Sequence, residues 1–280
     1  MNLEEAIRLE WREGAAWLRI DRPDKRGAMS HEMWLRLQAL AREALAASPV
    51  AIVVAGVPGQ FASGADIAEF ASVKATESAA RASFEAVDGA CQALFEAPVP
   101  TVAAVDGYAL GGGLELLAAC DLRIATRSAR FGLPSARLGV TIGHGHVRRL
   151  VWAVGPSRAL AMLLTARSLD AAEALACGLV HELADDWEGL MAAATATCRR
   201  LEGLSPQSLR WSKEAVHRVL ADPALAGLED DAGKAIRAFA TDEFREGARA
   251  FLERRPPRFR DLAPPGAADE PHTGRGEGSP

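Results

Sequence analysis

A mixed α/β fold with a largely parallel sheet is what this sequence predicts, on three observations. Short β-branched or alternating apolar runs take turns with amphipathic helical stretches through the first two-thirds of the chain. Glycine turns fall where strands hand over to helices, and the last third is helical almost throughout. Trp17-Leu-Arg-Ile-Asp21 alternates as a strand and stops at Arg22-Pro23. Ser30 is then placed to cap a helix whose apolar residues Trp34, Leu37, Leu40 and Leu45 share one face. Val50 to Ala55 is a β-branched run ended by Gly56, Thr101 to Val105 is a second, and Leu122 to Ala125 a third. Between them, helices are expected from about Ser78 to Phe95 and from Gly112 to Ala119. After about Ala171 the expectation is helix, including Pro206 to Leu220 and Leu228 to Arg254. Residues 1–202 are thus expected to form an α/β core, and 203–262 a helical lobe. Residues 263–280, rich in Pro and Gly and lacking apolar periodicity, read as a disordered tail. No internal repeat is present.

Composition narrows the possible functions. With 280 residues, 49% of them hydrophobic, the chain can bury a large core. Its net charge of −5 offers no phosphate-backbone footprint and so no nucleic-acid partner. Cys91, Cys120, Cys177 and Cys198 show neither a C-x-x-C spacing nor a disulfide framework, and read as reduced thiols. The acidic start Met1-Asn-Leu-Glu-Glu has no apolar export segment, and no apolar run reaches the roughly 18 residues a membrane span needs. A cytoplasmic protein without a membrane partner is expected.

The chemistry concentrates in Ala104-Val-Asp-Gly-Tyr-Ala-Leu-Gly-Gly-Gly-Leu-Glu-Leu-Leu-Ala-Ala-Cys-Asp121, where a strand-like run ends in three glycines and a helix begins with a carboxylate. Gly111 to Gly113 let backbone approach a ligand, and the first N–H groups of a helix have no intrahelical acceptor, so they can donate to a developing oxyanion. Glu115, three residues after Gly112, falls on roughly the same helix face. An amide could therefore hold a carbonyl oxygen while the carboxylate works on a neighbouring carbon. The turn Phe61-Ala-Ser-Gly-Ala-Asp66 follows the Val50 strand and can present the Ala65 N–H as a second donor, which is what a thioester enolate requires. Taken alone, Gly64 and Asp66 are more often a turn and a cap than a site.

Together and in this order, these residues resemble the crotonase (enoyl-CoA hydratase/isomerase) superfamily. The resemblance runs from Leu18 to about Leu262. It rests on Ile20-Asp-Arg-Pro23, Phe61-Ala-Ser-Gly-Ala-Asp66, Gly107-Tyr-Ala-Leu-Gly-Gly-Gly-Leu-Glu-Leu116 and Ala119-Cys-Asp-Leu-Arg-Ile-Ala125, with Phe131-Gly-Leu-Pro134, Leu138-Gly139 and the late Glu246-Gly-Ala-Arg-Ala-Phe-Leu-Glu-Arg-Arg255. It implies a β-β-α spiral core, a C-terminal helical trimerisation lobe, and a homotrimer or dimer of trimers. The implied substrates are acyl-CoA thioesters, with coenzyme A as part of the substrate and no separate cofactor.

The resemblance also implies roles. Ala65 and Gly112 match the two oxyanion amides, and Glu115 matches the first of two hydratase carboxylates. Lys25, Arg26 and Ser63 fall where the family meets coenzyme A, and Phe251 with Arg254 matches the helix that reaches a neighbouring subunit's coenzyme A; these basic residues read equally as solvated surface. Two departures stand out. Where two-carboxylate hydratases carry Pro-Glu, this chain has Pro134-Ser135, and a serine hydroxyl with no base beside it is a poor proton donor to carbon. The family's small-residue loop is replaced by Ile142-Gly-His-Gly-His-Val147. Its His144 or His146 either substitutes for the missing carboxylate or merely bonds locally. Neither histidine has a third ligand in register for zinc, so no metal is expected.

The dinucleotide motif G-x-G-x-x-G after a first strand, the phosphate loop G-x-x-x-x-G-K-[S/T] and the hydrolase elbow G-x-S-x-G are all absent. The expectation is an enoyl-CoA hydratase-like lyase with Glu115 as acid and base. The alternatives are an enoyl-CoA isomerase, a malonyl-type acyl-CoA decarboxylase, or a non-catalytic acyl-CoA-binding protein.

Overall fold

Strand β2 (Ala15–Ile20) is buried along its whole length, and its alternating residues face two different cores. The structure, a computed structural model, describes residues 2–66, 69, 76–222 and 231–262. After a short helix α1 (Leu3–Ala6), β1 (Ile7–Arg12) pairs antiparallel with β2. Strands β3 (Ile52–Ala55), β4 (Thr101–Val105), β6 (Leu122–Thr126) and β9 (Glu182–Ala184) then add in parallel, giving a six-stranded sheet in the order β1-β2-β3-β4-β6-β9. Leu18, Ile52, Val54, Ala103 and Val105 point to one core. Trp17, Val53, Val102 and Ala104 point to the other. Because both faces are covered, the strands read as continuous apolar runs rather than clean alternations.

Helices α2 (His31–Ala46), α3 (Glu77–Phe95), α4 (Gly112–Ala118) and α5 (His144–Thr165) pack on the first face. The Ser30 hydroxyl caps α2 by accepting from the Met33 N–H at 3.3 Å, as the sequence predicts, and Thr76 does the same for α3. Leu37 on α2 is fully buried beside Trp34; burying a leucine side chain stabilises the fold by about 1.5–3 kcal/mol. A second, three-stranded sheet of β5 (Tyr108–Leu110), β7 (Arg130–Gly132) and β8 (Leu169–Asp170) carries the spiral onward. Helix α5 bends at Gly155 (φ 74°), where Pro156 removes a donor.

After α6 (Ala171–Ala176), α7 (Trp187–Glu202) covers the second face of the large sheet with Leu190, Ala194, Cys198 and Leu201. Helices α8 (Pro206–Ala221), α9 (Asp231–Ala238) and α10 (Asp242–Glu253) follow. Lys213 on α8 ties this last segment to the core, its Nζ lying 2.7 Å from Asp121 Oδ2 while also donating to the carbonyls of Leu94 and Val99. His217 stacks on Phe95 at 4.0 Å. On α10 the buried Glu246 accepts from Arg255, Arg249 and the Arg258 N–H, and these bonds hold its carboxyl well below the usual carboxylate range.

The stretch after Ala171 is helical almost throughout, as expected, and adds one short strand, β9, which extends the main sheet and whose three residues are too few to announce by periodicity. One expectation needs correcting. The helix expected over Leu228–Arg254 is two helices among the described residues. Thr241 caps the second by accepting from the Phe244 N–H, a local bond that competes with continuing the first. Residues 228–230 and the tail 263–280 lie outside the described residues. All four cysteines are free, as read from their spacing, and burial pushes the Cys120 thiol up to about 12. Among the described residues no helix is long and apolar enough to cross a membrane.

Candidate active site

Two backbone loops meet where the sequence places its glycines. The Ala62 N–H donates to the Tyr108 carbonyl and the Leu110 N–H donates back to Ala62, each at 3.0 Å, so the turn after β3 and strand β5 run side by side. A Cβ on Gly113 would lie 1.9 Å from the Ala62 carbonyl oxygen, which is why α4 can start this close only with glycine there. Gly64, at φ +99°, allows the final approach: a Cβ there would meet Leu110 O at 2.9 Å and Gly112 N at 3.4 Å.

The donors then face inward for definite reasons. Met29 N donates to Gly64 O (2.8 Å) and Asp66 N donates to Met29 O (3.0 Å). In extended chain successive N–H groups point to opposite sides, so Ala65 between them turns its own N–H away from Met29. Gly112 is the first residue of α4, where an N–H has no intrahelical acceptor. Arg22 steadies the Ala65 segment, with Nη2 2.9 Å from the buried Asp66 carboxylate and Nη1 donating to Ala28 O.

Ala65, Gly112, Glu115, Ser135, His146 and Ser63 all line one cavity of about 470 Å³, whose remaining wall includes Trp34, Phe84, Val87, Leu133 and Ile142. Glu115 sits between the buried Leu114, Leu116 and Leu117 with its side chain 10% exposed, so its carboxylate is held at the cavity wall rather than in bulk solvent. Ser135, half-buried, lies on a tight turn Pro134–Arg137 and brings a neutral hydroxyl to that cavity.

The two histidines part company. His144 and His146 stand not in a loop but in the first turn of α5, begun by Gly143. Residues two apart on a helix point about 200° apart. His144 is exposed and does not line the cavity; His146 is buried, its Nδ1 3.6 Å from Glu115 Oε2. Burial, reinforced by the neighbouring Arg149 charge, lowers its pKa to about 4, so its ring is neutral at physiological pH. Sequence reasoning missed Arg149, 1% exposed, and Asp88, which meet His146 from α5 and α3.

The residues matched to coenzyme A are more scattered. Lys25 and Arg26 are exposed on the turn after Pro23, and Ser63 donates to the Lys25 carbonyl at 3.5 Å, joining that turn to the cavity mouth. Phe251 on α10 and Arg254, the residue that ends it, are exposed and do not line the cavity. Among the described residues no group of three His, Cys, Asp or Glu is placed to hold a metal ion.

The sequence profile of the enoyl-CoA hydratase/isomerase family matches residues 10–262, most of the chain. The chain belongs to that family. It is 39% identical to a Mycobacterium leprae protein named probable enoyl-CoA hydratase echA8, over 86% of this chain and 92% of the relative. It is 33% identical to the short-chain-enoyl-CoA hydratase of Clostridium acetobutylicum, over 91% and 97% respectively. A crystal structure of an enoyl-CoA hydratase/carnithine racemase from Magnetospirillum magneticum superposes with a TM-score of 0.84 at 32% identity, covering 90% of this chain and 94% of that one. The crotonase fold and membership of this enzyme family, expected from the glycine turns and Glu115, are thereby established.

Proposed function

We propose that the protein adds water across the double bond of an enoyl-CoA, with Glu115 as both base and acid and the Ala65 and Gly112 amides as the oxyanion hole. The observation that carries this reading is the convergence of Glu115 and those two amides on one cavity. The names of the relatives support it.

The chemistry follows from the geometry. The thioester oxygen accepts from the two N–H groups. The Glu115 carboxylate takes a proton from water as the oxygen bonds to the β-carbon, and the π electrons of the double bond move onto the thioester oxygen as an enolate. The enolate then collapses and its α-carbon takes the proton back from Glu115. Electrons and protons balance with one carboxylate. Ser135 presents a hydroxyl to the cavity that can orient the water but does not exchange protons with carbon. His146, neutral and with Nδ1 engaged by Arg149, is a weak base, so both proton transfers are assigned to Glu115. Trp34, Phe84 and Val87 give the acyl group an apolar lodging, and the exposed Lys25 and Arg26 beside the mouth suit the phosphates of coenzyme A.

An oligomer also belongs to this proposal. Val216 and Val219 on α8, Ile236 on α9, Phe239 just after it, and Phe251 and Leu252 on α10 are exposed, an apolar surface that further copies of the chain would cover in a trimer or dimer of trimers. Assay against crotonyl-CoA, a 3-enoyl-CoA and methylmalonyl-CoA tests the reaction: hydration of crotonyl-CoA is expected to dominate. Turnover of methylmalonyl-CoA alone would replace hydration with decarboxylation, which needs the oxyanion hole but no second carboxylate.

A further inference from the structure

Behind the cavity wall lies a buried charged cluster that the hydration chemistry does not use. Arg149 on α5 donates from Nη2 to His146 Nδ1 (2.8 Å) and to Asp88 Oδ1 (2.9 Å), and from Nη1 to Gln92 Oε1 (2.9 Å). Its guanidinium also lies over the Phe95 ring at 5.9 Å. A guanidinium can only donate, so Nδ1 of His146 must accept, and the ring proton resides on Nε2.

That assignment matters because the same Nδ1 lies 3.6 Å from Glu115 Oε2. Were Nδ1 protonated, a buried imidazolium would face the carboxylate that is to take a proton from water. Such a pair would hold Glu115 as a hydrogen-bonded carboxylate and make it a poor base. Arg149 occupies the position that this proton would need.

Burial favours the neutral ring first, and the charges around it add to or oppose that preference. Glu115 on α4 and Asp88 on α3 favour the imidazolium, Asp88 Oδ1 standing 3.6 Å from Nε2. Arg149 opposes it at hydrogen-bond distance, and the positive end of the α5 dipole adds to that. Cys91 on α3 is a neutral thiol because burial raises its pKa, and His144 and Arg148 on α5 are exposed. Phe84 contributes only a ring edge. Asp88 is already engaged by Arg149, which blunts its pull on the ring.

We propose that Arg149 is a positioning residue: by donating to His146 Nδ1 it keeps the imidazole neutral and so keeps a buried imidazolium from facing Glu115. This rests on Glu115 being the acid-base group.

The test reads the ring directly. Long-range 15N–1H correlation spectra of 15N-histidine-labelled protein, with His146 assigned from His146→Phe, are expected to show the neutral Nε2–H tautomer throughout pH 6–8. An Nδ1–H tautomer or an imidazolium in the wild type overturns the proposal without any Arg149 variant. In Arg149→Met, Asp88 and Glu115 act on the ring unopposed, and the His146 pKa is expected to rise from its wild-type value although burial still lowers it. kcat/KM for crotonyl-CoA should then fall at least tenfold below the new pKa and recover as pH rises. Arg149→Lys, which keeps the cation, should restore a flat profile in part. Adding His146→Phe to Arg149→Met should abolish the new pH dependence. A loss of activity in Arg149→Met that is equal at every pH, with His146 still neutral, would mean that Arg149 only supports the fold. Unchanged activity in Glu115→Gln would defeat the Glu115 reading instead, and with it the consequence drawn here for Arg149, even if the tautomer is as expected.

Discussion

In the proposed reaction the thioester oxygen meets a cavity wall built from backbone, whereas the proton transfers fall to a wall built from side chains on three helices. Ala65 and Gly112 present N–H groups fixed by neighbouring backbone bonds and by glycines that admit no side chain. Glu115, His146, Arg149 and Asp88 are held by one another across α3, α4 and α5. The backbone wall is therefore sensitive to steric and proline substitutions and indifferent to pH. The side-chain wall is sensitive to charge, and each member's protonation depends on its neighbours.

The largest effect expected from the backbone wall is at Gly112. Gly112→Pro removes the N–H at a helix position that tolerates proline, and kcat should drop by about 10²–10³. A Cβ there would lie 2.9 Å from Trp34 Cζ2, so Gly112→Ala is the matched control: it makes the same contact and keeps the donor. Equal losses in the two variants would show that packing, not the N–H, matters at that position.

On the side-chain wall the first expected effect is on stability. His146 has an ordinary value of 6.5 when unfolded and about 4 in the fold. Between these values the unfolded chain binds the extra proton, so stability rises with pH through that window and is lost as pH falls from about 6.5 to 4. The loss approaches ~3 kcal/mol at the acid end by this linkage. Urea unfolding of wild type and His146→Phe from pH 4 to 7 checks it: the variant should have the flatter profile, and parallel profiles would show that other groups set the acid limit.

Smaller effects test the periphery of each wall. Ser135→Glu places a second carboxylate in the cavity and should raise crotonyl-CoA hydration several-fold, if the proton transfer to carbon that one carboxylate handles alone limits the rate. A fall in rate would show that the neutral hydroxyl is needed there. Lys25→Ala and Arg26→Ala, on the exposed turn, should raise KM less than tenfold and leave kcat unchanged, because exposed charges contribute little and are screened by salt.

The same division explains what the sequence made legible. The strand runs at Val50, Thr101 and Leu122, the Ser30 cap and the glycine turns are local signals, and each is found where its pattern put it. That Ala65, Gly112 and Glu115 share one cavity was readable because a glycine turn and a helix start hold them within a few residues of each local signal. The Arg149 cluster was not. Its partners Asp88 and Gln92 are 61 and 57 residues away along the chain, and an Arg148-Arg149 pair looks like ordinary surface until the fold buries one of them. His144 and His146 could have been separated, since Gly143 before an apolar helical pattern marks a helix start and helical spacing sends residues two apart to different faces. Strand β9 and the break at Thr241 depended on sheet pairing and on a side-chain cap, which hydrophobic spacing does not carry.

The central claim is that one carboxylate, Glu115, performs both proton transfers against an oxyanion held by backbone amides. Steady-state hydration of crotonyl-CoA by Glu115→Gln, which keeps the shape and removes the proton acceptor, measures it most directly. A kcat lower by about 10²–10⁴ is expected, with KM little changed. A Glu115→Gln enzyme within a few-fold of wild type would contradict it.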